Sequence, residues 1–128
     1  MQPSDAKREA TRFLHETMQQ EELAWPEIPD PVALRCAGDA QGVRFQYLVH
    51  VEHSEDAQML ARSFENYWEG RGLDVTPSEE DLGNEYGTVY SATAHGAAGP
   101  SGAIEVSRVG INLYVDSACA EGDLVDYE

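Results

Sequence analysis

The chain has 128 residues, 24 acidic side chains against 8 basic ones, and a formal net charge of -16. Its length suits one compact domain rather than two, and its 41% hydrophobic residues supply a packed core and argue against wholesale disorder. No apolar run reaches the ~18 residues of a membrane-spanning helix, and so negative a chain repels nucleic-acid phosphates and anionic headgroups.

Ser4 reads as the N-cap of a first helix, with Asp5 in its first turn. Ala6, Ala10, Phe13, Leu14, Thr17 and Met18 recur at helical spacing, so they form its inward face. Trp25-Pro26, Ile28-Pro29 and Asp30-Pro31 then impose an extended, polyproline-like connection that leads to Cys36. Gly38 to Gly42 reads as a turn. The clearest strand follows: Val43, Phe45, Tyr47, Val49 and Val51 face a core, while Arg44, Gln46, Leu48, His50 and Glu52 face outward.

Ser54 reads as the cap of a second helix, with Glu55 and Asp56 in its first turn. Ala57, Leu60, Ala61, Phe64, Tyr67 and Trp68 make its apolar stripe, and Gly70 and Gly72 stop it. Leu73 to Thr76 is a short strand, parallel to the first in one sheet but not necessarily adjacent to it. Pro77 to Gly87 reads as a polar, acidic loop. Thr88–His95, a brief strand at Ile104 and Val106, and an alternating strand at Ile111, Leu113 and Val115 complete the order α-β-α-β-β-β-β. The fold class is therefore α+β, two helices on one face of a mostly antiparallel sheet. Residues 1–119 form the domain, and residues 120–128 read as a mobile acidic tail.

Charge is uneven along the chain. Residues 1–71 hold thirteen acids and seven bases, whereas residues 72–128 hold eleven acids and one base, Arg108. The plain reading is solubility; the sharper one is an acidic face that steers a cationic partner. Cys36 and Cys119 lie too far apart for a C-x-x-C redox or zinc pattern. Each sits just outside a strand, which leaves a disulfide, two buried thiols or a reactive thiol open.

The segments Leu34-Arg35-Cys36, Gly42 to Phe45, Tyr67 to Val75 and Ser117-Ala118-Cys119 together resemble the small uncharacterised lipoproteins of actinobacteria. The resemblance spans roughly residues 8–119. It implies a cell-envelope location and a Cys36–Cys119 bridge, and it implies no reaction. The family's leader and lipid-bearing cysteine do not occur here, so Met1-Gln2-Pro3 reads as a start placed after a removed leader.

Few residue patterns in the chain point to a specific chemistry. Phosphate-loop, dinucleotide, nucleophile-elbow and zincin motifs are all missing from the sequence. His50 and Glu52 share a strand face, and His95 could join them only if its strand lies alongside. Fewer than three ligands do not complete a zinc site. Glu79-Glu80-Asp81, with Asn84 and Glu85, gathers hard oxygen ligands without calcium-loop spacing, so a solvated loop is the better account. No metal or cofactor is expected. Trp25, Tyr67, Trp68, Glu79, Glu80 and Asp81 are the candidate partner contacts, beside core packing as the plainer role for the aromatics. The expectation is a non-enzymatic, extracytoplasmic domain that binds another protein. An acidic inhibitor or immunity-type protein covering a basic partner is the alternative. A cytoplasmic role follows if both thiols are free.

Overall fold

In the computed structural model, which describes residues 1–36 and 41–127, the elements follow in the order α1 (Pro3–Met18), β1 (Val32–Arg35), β2 (Val43–Glu52), α2 (Ala57–Gly70), β3 (Asp74–Asp81), β4 (Thr88–His95), β5 (Ser101–Val106) and β6 (Gly110–Asp116). A single 3-10 turn, Leu124–Tyr127, comes last. The strands form one sheet in the order β1-β2-β6-β5-β4-β3, and every neighbouring pair is antiparallel. The architecture is α+β, as expected. β2 and β3 run in the same direction with three strands between them.

Both helices pack on one face because their apolar stripes meet the inward parity of the strands. Ala6, Ala10, Phe13, Leu14, Thr17 and Met18 of α1 are all buried. So are Leu60, Ala61, Phe64 and Trp68 of α2, and all five inward residues of β2. Fully burying a side chain such as Phe64 contributes about 1.5–3 kcal/mol. Trp68 joins the layers: its ring stacks on Phe13 at 6.2 Å. Gly102 of β5 leaves room for it, since a β-carbon there would lie 2.9 Å from Trp68 Cζ2.

Several boundaries differ from expectation. α1 begins earlier, with Gln2 as N-cap and Pro3 in the first turn. Proline lacks the N–H that this position leaves unused, so it starts the helix without Ser4 acting as a cap. The cap of α2 is Asp56, whose carboxylate accepts from the Met59 N–H at 3.0 Å, and not Ser54. The α2 end is as expected: Gly72 N–H donates to Glu69 O at 2.9 Å and Leu73 N–H to Trp68 O at 3.2 Å. These bonds satisfy the last helical carbonyls.

The connection before Cys36 contains a sixth strand, β1, which pairs with β2 from Val32↔Gln46 to Arg35↔Val43. The acidic stretch expected as a loop after Thr76 continues β3 as far as Asp81. Pro77 is tolerated there because β3 is an edge strand, paired with β4 alone. The turn expected at Gly38 to Gly42 lies outside the described residues except for Gln41 and Gly42.

Cys36 and Cys119 form a disulfide, with their Cα atoms 5.7 Å apart and a sequence separation of 83. The bond crosses the start of β2. Cys36 follows β1 on one side, and Cys119 follows β6 on the other. Ala120 exchanges backbone hydrogen bonds with Val43 at 2.8 and 3.0 Å, and Tyr127 meets Phe45 edge-on at 5.3 Å. The Lys7 ammonium lies 4.7 Å from the Phe45 ring centre.

Candidate functional site

The period-two pattern that sends five β2 residues into the core sends the alternate ones to the opposite face. Among the described residues no helix covers that face. Antiparallel register carries the pattern across the sheet. Gln46 stands beside Asp116, which stands beside Ser101; Leu48 aligns with Tyr114, and Tyr114 with Ala103; His50 aligns with Asn112, and Asn112 with Glu105. Thr93 and Ser91 of β4 extend the second and third rows.

The outer rows are tied by side-chain bonds. Gln46 Nε2 donates to Asp116 Oδ1 at 3.0 Å, and Arg44 pairs with Asp116 Oδ2 at 2.9 Å. His50 Nδ1 and Asn112 Oδ1 are 2.8 Å apart. The Tyr114 hydroxyl donates to Glu105 Oε1 at 3.1 Å. Burial pushes the Tyr114 phenol above its ordinary range, and the Glu105 hydrogen bond and charge push it the same way. The phenol therefore stays neutral and keeps its donor role.

The middle row is less polar. Leu48 is 47% exposed, and Val32 of β1, diagonal to it on the same face, is 61% exposed. Beside them lies a shallow concavity of about 430 Å³ whose lining includes Gln46, Thr93, His95, Ala103, Glu105 and Tyr114. An apolar centre within a polar, internally bonded rim is the usual anatomy of a protein-binding patch. Six strands at roughly 4.8 Å spacing, each about seven residues long, present on the order of 600 Å². A standard interface covers ~800 Å² per partner.

The histidines on and beside this face do not converge. His53 is engaged locally: its Nε2 lies 2.6 Å from Ser107 O, and its Nδ1 accepts from the Glu55 N–H at 3.1 Å. His95 does not join His50, because β6 and β5 lie between their strands, a separation of about 14 Å across the sheet. No group of three or more His, Cys, Asp or Glu among the described residues is placed to hold a metal ion.

The candidate partner contacts do not converge. Trp68 is fully enclosed, so it is a core residue and no partner can reach it. Its indole needs the low-polarity slot between the two helices, where Thr17 takes its N–H. Tyr67 is half-buried, with its hydroxyl accepting from Arg71 at 2.7 Å. Glu79, Glu80 and Asp81 are exposed, but β3 alternation sends Glu79 to the helix side and Glu80 to the open side. Trp25 is half-buried and lines a separate groove on the helix layer.

Among the open-face residues, Tyr114 and Glu105 were not singled out from the sequence. One signal was available: Leu48 is the lone apolar member of the outward set Arg44, Gln46, His50 and Glu52. No family model, no curated protein and no solved structure matches this chain.

Proposed function

We propose that this chain is an extracytoplasmic, lipoprotein-like domain of the cell envelope that binds another protein through the uncovered face of its sheet. The observation that carries the reading is the exposed Leu48 beside Tyr114, on a face where bonded polar pairs flank it. The Cys36–Cys119 disulfide supports the compartment, since such bonds persist where the surroundings are oxidising. Self-pairing through this face is disfavoured, because each copy carries a net charge of -16.

A second reading, an acidic inhibitor or immunity-type protein, is favoured by the distribution of charge. Residues 72–128 build β3 to β6 and hold eleven acids against Arg108 alone. The Arg108 guanidinium is occupied by the Glu85 carbonyl. Apart from Asp116, which Arg44 neutralises, that half of the sheet presents a largely uncompensated negative field, which draws a basic partner.

The test places a photo-crosslinking amino acid at position 48 and, as a control, at Met59, which is 73% exposed on α2. Both variants are exposed to envelope extract at low and high salt. Capture of one protein from position 48 and not from 59 is the expected result. Equal capture from both positions, or from neither, sinks the assignment of the face. Steep loss of capture with salt favours the inhibitor reading, and salt-insensitive capture favours the apolar stripe.

A further inference from the structure

We infer that the groove beside Trp25 receives a basic segment of another protein that carries an apolar anchor side chain. The surface lies on the helix layer, remote from the open sheet face, and stands independently of the function proposed for that face. It begins in the sequence. Pro26, Pro29 and Pro31 withhold N–H groups from the stretch after α1, so residues 22–31 form no regular element and lie against the helices instead. Between this stretch and the last turns of α1 is a groove of about 690 Å³, floored by Met18, Trp25, Pro26 and Ile28.

Trp25 is fixed before any partner arrives. Its Nε1 donates to Glu21 O at 3.1 Å, and its ring meets Phe64 edge-on at 6.3 Å. An aromatic platform already held in place loses little freedom on binding.

The rim decides the occupant. Glu21, Glu22 and Glu27 border the groove. None of them is ion-paired among the described residues, whereas Asp5, Glu16 and Asp116 are. Apolar floor and unneutralised anionic rim together fit an apolar side chain flanked by lysines or arginines. A second copy of this chain is a poor source, because each copy carries a net charge of -16 and four of its eight bases, Arg8, Arg12, Arg44 and Arg71, already pair with its own carboxylates. Anionic lipid is repelled.

Trp25 is its own reporter, since the only other tryptophan, Trp68, is fully buried. The intact protein is titrated with a short peptide of alternating lysine and leucine, and with a lysine–serine peptide of equal charge. The expected result is a saturable shift of tryptophan emission with the first peptide and binding at least about tenfold weaker with the second. Replacing Glu21, Glu22 and Glu27 by glutamine should weaken the first peptide about tenfold. The equal charge change Glu9→Gln/Glu55→Gln/Glu69→Gln, at exposed positions outside the groove lining, should weaken it less than about twofold. All these positions are at least partly exposed, and circular dichroism checks that each variant is folded. Equal loss in both triple variants, equal binding of both peptides, or an unchanged emission overturns the inference.

Discussion

The indole N–H of Trp68 donates to Thr17 Oγ1 at 3.2 Å, and both residues are completely buried. The threonine hydroxyl in turn donates to Phe13 O at 2.9 Å, one turn back along α1. One hydroxyl thus satisfies the only polar atom of the largest core side chain and locks α1 to α2. It also accounts for a polar residue in the otherwise apolar α1 stripe.

Thr17→Val keeps the shape of the side chain and removes the acceptor, leaving a buried N–H without a partner. The expected cost is about 1–3 kcal/mol, read as a lower urea midpoint with an unchanged slope. Thr17→Ser should recover most of that loss. Equal stability of the valine variant and the parent would show that this bond contributes nothing.

Gly42 has a φ of +129°, and a β-carbon there would lie 2.4 Å from Ala120 O and 2.8 Å from Cys119 Sγ. Gly42→Ala must therefore strain the backbone and push apart the two segments that the disulfide joins. A loss of about 1–3 kcal/mol is expected, together with a larger fraction of free thiol after refolding. Thiol titration of the unfolded, unreduced protein checks the second outcome.

Removing the bridge itself acts mainly on the unfolded chain. The sequence separation of 83 residues corresponds in the chain-entropy model to roughly 4.5 kcal/mol. The double variant Cys36→Ser/Cys119→Ser should lose a comparable amount by denaturant unfolding. Its sheet should be retained by circular dichroism, because the strand register does not depend on the sulfur atoms.

The Glu65 carboxyl is held above its ordinary value, chiefly by burial and further by Glu69, with Arg62 opposing. A raised folded-state value penalises the ionised form in the native protein. The penalty is present at neutral pH and disappears as pH falls below the unfolded-state value of about 4.3. Glu65→Gln is therefore expected to raise the melting temperature at pH 7, with the advantage over the parent vanishing near pH 4. A constant advantage at both pH values would mean that the effect is not one of ionisation.

Elements with a buried face were legible in the sequence, and elements without one were not. β2 shows strict alternation because one side packs under α1 and the other meets water. β1 has no buried residue and carries no period to read; β3 was legible only from Leu73 to Thr76, because beyond Val75 all of it is exposed. The candidate site was half legible for the same reason. Alternation identified Arg44, Gln46, His50 and Glu52 as outward, but placing Tyr114 beside Leu48 and Glu105 required the antiparallel register.

The residues alone determined the fold class, the two amphipathic helices, the inward set of β2 and the strongly negative charge, all of which follow from local periodicity and composition. Tertiary structure decided which tryptophan is reachable, how far the sheet extends at its edges, and that Cys36 and Cys119 meet across β2. Those outcomes depend on contacts between residues remote in the chain. Such contacts are fixed by strand pairing and helix packing, and they leave no period in the local sequence.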